Sequence, residues 1–159
     1  LGEKKALLAA RRLKACNPHC TLTTSTERLS PANAHQLLSG KDLILDATDN
    51  EEARRLIDSV ARAAGLHWLY TSIDSWCGQV ALFPPEGKGY RDLFPEIPST
   101  SEGLEASSTP IPVLSSTPAL LGSIAGAEAL KHLLGLATPL SDHLLLVDSL
   151  RWSFQLLKR

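Results

Sequence analysis

The stretch Lys41-Asp-Leu-Ile-Leu-Asp-Ala-Thr-Asp-Asn50 decides how this chain is read. Leu43 to Leu45 form a short apolar run that opens straight onto small polar residues: Asp46, Thr48, Asp49 and Asn50. Such a run, bounded by turn formers, predicts a buried strand. Glu51 to Ala64 follows with helical spacing, and Gly65 closes it. In an open α/β sheet, ligands bind outside the carboxyl ends of the strands, so this polar cluster stands where a site belongs. Two carboxylates there suit a hard cation such as Mg²⁺ held against a phosphate. The same residues also suit a plainer role, with Asp49 or Asn50 capping the next helix.

Outward from that stretch, strands and helices alternate. Gly2 to Ala15 places Ala6, Leu7, Ala10 and Leu13 at helical spacing, and Asn17-Pro18 stops it. Thr21 to Thr26 is a β-branched run and predicts a strand. Ser30-Pro31 and Ala32 to Leu38 predict a capped helix closed by Gly40. His67 to Ile73 predicts the next strand, and the alternation indicates a parallel sheet with crossover helices. Gln79 to Phe83 predicts a strand ended by Pro84-Pro85, and residues 87–112 read as a long functional or mobile loop, a length unusual within a compact domain. Pro118 to Leu134 predicts a helix apolar all round, with Gly122, Ala125, Gly126 and Ala129 suited to close packing against another helix or subunit. Leu144–Val147 and Trp152–Leu157 predict two final strands, and no internal repeat is evident.

Composition narrows the function classes. With 159 residues, 43% hydrophobic and 21% charged, the chain suits one globular domain with a real core. A net charge of −1 suggests neither a nucleic-acid nor a membrane surface. The basic run of Lys4, Lys5, Arg11, Arg12 and Lys14 reads as a solvated helix face. No apolar run nears the roughly 18 residues of a membrane span, and no signal peptide is evident. Cys16, Cys20 and Cys77 form no CxxC pair, so unpaired thiols in a reducing cytoplasm are expected. Cys77 is expected to be a small buried hydrophobe. A chain that begins at Leu1 and contains no Met is expected to be processed, truncated or part of something longer.

The order of short motifs is more specific than any one of them. Gly2-x-x-Lys5-Ala6, Asn17-Pro18, Asp42 to Asn50 with Arg54, and Gly78-Gln79-Val80 come first. Tyr90-Arg91 with Leu93-Phe94-Pro95-Glu96, Gly122-Ser123 with Glu128-Ala129-Leu130-Lys131, and Asp148 complete the series. Together they resemble the MoeB/ThiF/HesA family, bacterial relatives of ubiquitin-activating enzymes, over nearly the whole chain. The resemblance implies a Rossmann-like α/β fold, mostly parallel, with helices on both faces and C-terminal antiparallel strands. It also implies an N-terminal strand, Gly-rich turn and second strand ahead of Leu1, which would cradle nucleotide phosphates. The present chain is thus expected to hold about half of an ATP site and to be inactive in adenylation alone.

The implied activity is ATP- and Mg²⁺-dependent adenylation of the C-terminal glycine of a ubiquitin-like sulfur-carrier protein, by a cytoplasmic homodimer. Matched residue by residue, Lys5 corresponds to a phosphate-contacting lysine and Asp49 to a metal-binding aspartate. Asp46, Thr48, Asn50 and Arg54 complete the expected nucleotide site. On the residues alone Asp46 can equally be structural at the strand end, Arg54 a helix-surface residue anchoring the loop, and Lys5 a solvated one. The family's zinc-binding CxxC falls on Gly89 and Asp92, so no zinc is expected. Its sulfur-transferring cysteine falls near Ser107–Ser108, whose hydroxyls are poor substitutes for a thiolate. Two alternatives remain: an inactive partner or scaffold subunit of the same family, and a dinucleotide- or metabolite-binding module, which the lack of a G-x-G-x-x-G disfavours.

Overall fold

The structure, a computed structural model, describes residues 2–95 and 113–159, and it divides into two compact units, Leu1–Ser30 and Pro31–Arg159. In the first unit α1 spans Lys5–Cys16 and ends where Asn17 N–H donates to Leu13 O at 2.9 Å. None of its residues is buried, and Leu7 and Leu13 are exposed. The strand expected at Thr21 to Thr26 does not form; these residues are exposed and join no ladder. β-branched residues favour extended backbone, but a strand exists only where a neighbour accepts its hydrogen bonds.

The second unit carries the sheet. Its elements are α2 (Ala34–Leu38), β1 (Ile44–Leu45), α3 (Glu51–Ala63), β2 (Trp68–Asp74), β3 (Cys77–Phe83) and α4 (Tyr90–Leu93), then α5 (Ser116–Leu133), β4 (His143–Asp148) and β5 (Ser153–Lys158). The strands lie in the order β1-β2-β3-β4-β5. The parallel character resides in the β1–β2 pair, and every later pair is antiparallel. The antiparallel part thus begins at β2, ahead of the C-terminal strands. The reason is local: Ser75-Trp76 joins β2 to β3 in a tight turn, whereas a parallel neighbour needs a long crossover.

Helices cover both faces, as the α/β reading expects. Pairing Trp68 with Phe83 and Tyr70 with Ala81 gathers aromatic rings on one face. There Tyr90 of α4 lies 5.7 Å from Trp68, whose indole N–H donates to Asp58 of α3 at 3.2 Å. The other face collects Leu69, Val80, Leu82 and Val147 against Leu121 and Ala129 of α5. Full burial of each large apolar side chain contributes about 1.5–3 kcal/mol, so β2 and β3, lined on both faces, are the spine. Gly78 permits a close approach of α5 to the sheet, because a Cβ there would lie 2.8 Å from Leu121 Cγ and 3.0 Å from Ser72 O.

Two expectations about packing are corrected here. Cys77 is exposed rather than buried, because it opens β3 at the rim of the sheet. Gly122 and Gly126 are exposed and a Cβ on either meets nothing within 4 Å, so within this chain they do not mediate close helix packing. α5 instead buries Thr117, Leu121, Glu128 and Ala129.

Candidate functional site

The site is built where β1 runs out. Ile44 N–H donates to His67 O at 3.1 Å and Asp46 N–H to Leu69 O at 2.9 Å, which ties the strand end to β2. Asp46 then turns its carboxylate inward, with its side chain fully shielded. Its Oδ1 accepts from Thr48 N–H at 2.8 Å, and Arg54 Nη2 donates to Thr48 O at 2.8 Å. Arg54 Nε stands 3.4 Å from Asp46 Oδ2, a charge contact too long and poorly aimed to be a hydrogen bond. Asp46 Oδ2, Thr48 Oγ1 and Arg54 Nε are therefore buried without hydrogen-bond partners. Burial pushes the Asp46 carboxyl above its ordinary range, against the pull of Thr48 and Arg54.

The capping question resolves in favour of Asn50. Its side chain accepts from Ala53 N–H at 2.9 Å and opens α3, with Glu51 and Glu52 in the first turn. A cap thus does not account for Asp49, whose Oδ1 accepts from Asn50 Nδ2 at 3.3 Å. Asp49, Thr48 and Arg54 line a cleft of about 900 Å³, walled opposite by Gly122 and Gly126 of α5. The two glycines that looked like packing residues leave this cleft open.

The structure brings Asp46, Thr48, Asp49, Asn50 and Arg54 together on one turn. Arg54 anchors the loop through Thr48 O, as expected, but not from the helix surface: its side chain is 13% exposed and its guanidinium lies 5.4 Å from the centre of the Tyr70 ring. Tyr70 in turn donates to Gln79 Oε1 at 3.0 Å. Sequence reasoning missed Tyr70, and nothing in the spacing of Arg54, on α3, and Tyr70, on β2, announces their contact. Lys5 stands exposed at the first position of α1 in its own unit.

No group of three or more His, Cys, Asp or Glu suited to a metal ion occurs among the described residues. Mg²⁺ does not need one, since it is held through one or two carboxylates, waters and substrate phosphates; Asp49 on the cleft wall fits that pattern. Zinc does not fit the positions where the resemblance implies it. Gly89 N–H donates to Asp92 Oδ2 at 2.7 Å, and a Cβ on Gly89 would lie 2.4 Å from Arg62 Nη1. Ser107–Ser108, Glu96 and most of the predicted 87–112 loop lie outside the described residues; its first part forms the one-turn helix α4. No helix among the described residues is long and apolar enough to cross a membrane.

Comparison with known proteins places this geometry. The chain matches the ThiF family over residues 1–159. It is 40% identical to a sulfur carrier protein adenylyltransferase of Thermus thermophilus, over 98% of this chain and 59% of that protein. It is 36% identical to a probable adenylyltransferase/sulfurtransferase MoeZ of Mycobacterium tuberculosis, over 98% of this chain and 40% of that protein. The chain thus spans about half the length of these relatives. Among solved structures, E. coli MccB with ATP superposes with a TM-score of 0.80 at 11% identity, covering 99% of this chain and 48% of that one. The protein PaaA superposes with a TM-score of 0.74 at 18% identity, covering 99% and 48%. At such identities the likeness is one of fold. These relatives lend no support to the inactive-partner alternative.

Proposed function

The chain belongs to the ThiF family, and on that premise we propose that it forms part of an ATP-dependent adenylyltransferase acting on the C-terminal carboxylate of a ubiquitin-like sulfur-carrier protein. In that reaction a carboxylate oxygen of the carrier attacks the α-phosphorus of ATP. The bond to the bridging oxygen breaks, and the products are an acyl-adenylate and pyrophosphate. Mg²⁺, when bound with the nucleotide, supplies the positive charge that the departing pyrophosphate requires. Asp49 is the residue on this chain suited to hold it. Thr48 and Asn50 flank Asp49 on the same turn, and Lys5 is the phosphate contact by resemblance. The assembly is taken to be a cytoplasmic homodimer with neither a zinc clamp nor a thiol at Ser107–Ser108.

The observation that carries this reading is the strand-end turn itself. Asp49 lies on a cleft wall, next to a helix cap that Asn50 already provides. The names of the matched relatives support the same chemistry. The test is ATP–pyrophosphate exchange by the full chain, meaning the full-length adenylyltransferase of which these 159 residues are proposed to form part, with and without a sulfur-carrier protein ending in glycine. Carrier-dependent exchange is the expected result. Absence of exchange together with absence of calorimetric ATP–Mg²⁺ binding would overturn the reading.

A further inference from the structure

Asp46 is fully shielded and Arg54 only 13% exposed, yet both border the cleft and both are held in place. They grip the same residue from both sides: Thr48 N–H is bound by the Asp46 carboxylate and Thr48 C=O by the Arg54 guanidinium, each at 2.8 Å. Each grip is itself anchored. Asp46 is tied by its own N–H to Leu69 O on β2, and Arg54 grows from the first turn of α3 and packs over the Tyr70 ring. Asp49 follows the gripped Thr48 and precedes Asn50, which the helix cap fixes. Its backbone is therefore held between two immobile neighbours.

The pair is a poor device for stability alone. Asp46 Oδ2 and Arg54 Nε stay buried without hydrogen bonds, and an unsatisfied buried polar atom costs about 1–3 kcal/mol. Apolar residues of similar volume often stabilise a fold as well as a buried ion pair or better. What apolar residues would not do is hold Thr48 N–H and C=O at once.

We propose that the buried Asp46–Arg54 pair is a positioning device for Asp49, setting the angle at which that carboxylate meets a metal–nucleotide complex in the cleft. The inference rests on the adenylyltransferase reading above for the ligand, and on the double grip of Thr48 for the mechanism. Neither Asp46 nor Arg54 touches the reacting atoms. Both act through the Thr48–Asp49 backbone, as groups behind a metal ligand do when they orient it, and loss of such groups lowers metal affinity by about 10–100-fold.

The test uses the full chain with Arg54→Met, Arg54→Lys and Asp46→Ala. Three quantities are read: hydrogen-exchange protection of the Thr48 amide without ligand, Mn²⁺ affinity in the presence of ATP by electron paramagnetic resonance, and the Mg²⁺ dependence of ATP–pyrophosphate exchange. Asp46→Ala is expected to lose Thr48 protection and Arg54→Met to lower it, and each to weaken Mn²⁺ binding by about tenfold or more and to recover most of its rate at saturating Mg²⁺. Arg54→Lys, which keeps the charge but not the planar fork, falls between Arg54→Met and the wild type. A purely structural pair would lower the melting temperature and leave metal affinity unchanged below it, which would overturn the proposal. Should Arg54→Met fail to fold, Asp46→Ala, which removes the acceptor of Thr48 N–H, carries the comparison; wild-type metal affinity there overturns the proposal equally. A wild-type protein that binds no Mn²⁺–ATP would instead defeat the adenylyltransferase reading itself, while loss of Thr48 protection would still report on the grip.

Discussion

Two buried carboxylates at opposite ends of the second unit are treated in opposite ways. Glu128, near the end of α5, is 8% exposed, and each of its oxygens is used: Lys131 donates to one and Thr138 to the other. Thr138 passes the order on by accepting from Leu140 N–H at 3.1 Å, which shapes the turn into β4. Asp46, at the end of β1, is 4% exposed, yet one of its oxygens has no hydrogen bond and its cationic partner is held at 3.4 Å. A fully satisfied polar cluster joins elements of the fold. The other borders a cleft of about 900 Å³, the place where the proposed reading puts the nucleotide.

The sharpest way to test this contrast is Asp49→Ala. Carrier-dependent ATP–pyrophosphate exchange is expected to fall at least about a hundredfold, the order found when a single charge-stabilising group is lost, with the melting temperature held. Unchanged exchange would remove Asp49 from the site. Glu128→Ala should do the reverse. It is expected to cost about 2 kcal/mol of stability, the scale of hydrogen bonds to a charged group, while exchange per folded molecule in the full chain stays at the wild-type rate. Urea unfolding, paired with exchange at low temperature, separates the two.

Smaller effects sharpen the boundary between core and cleft. Gly78→Ala drives a Cβ toward Leu121 and the Ser72 carbonyl, and should cost about 1–2 kcal/mol by overpacking. Gly122→Leu meets open space and replaces a helix-interior glycine, so it should raise helix stability by up to about 1 kcal/mol. It also projects into the cleft, and calorimetry on the full chain should show weaker ATP–Mg²⁺ binding. A loss of folding instead would mean that Gly122 faces a packed neighbour in the assembly.

The smallest expected effect is one of pH. Burial first, and the His132 ring 4.5 Å away second, hold the His67 imidazole below its ordinary 6.5. The unfolded chain then binds more protons than the folded one just below that value. The contribution is present in full above 6.5 and is lost as pH falls through the folded value. Melting temperature should decline less steeply on acidification in His67→Asn than in the wild type; identical slopes would remove the histidine pair from the balance.

Where the structure agrees with the sequence, the signal is local. The strand within the Leu43–Leu45 run, the capped and glycine-closed Glu51–Ala64 helix and the strand starting at His67 could be read because apolar periodicity and terminators lie within each segment, although the first is not buried as expected: Ile44 is, and Leu45 is 59% exposed. The failures are relations between segments. Thr21 to Thr26 has strand-forming residues and no partner, and no local pattern tells one from the other. Arg54 looks like a helix-surface residue until α3 is laid beside β2 and its guanidinium meets Tyr70. Gly122 and Gly126 look like packing residues because small side chains serve both close contact and open space. The site was legible as a cluster of polar types at a strand end, while the division of labour within it, Asn50 as cap and Asp46 as anchor, came only with the hydrogen bonds.

The aromatic face carries an optical consequence. Of the three tryptophans, Trp68 is fully shielded, stacked 5.0 Å from Phe83 and bonded to Asp58, whereas Trp76 and Trp152 are exposed by 42% and 76%. Acrylamide should therefore quench two emitters readily and leave a blue-shifted remainder from the third. That remainder is an intrinsic gauge of whether α3, β2 and α4 stay assembled, readable without a label while nucleotide is titrated into the far side of the same strand.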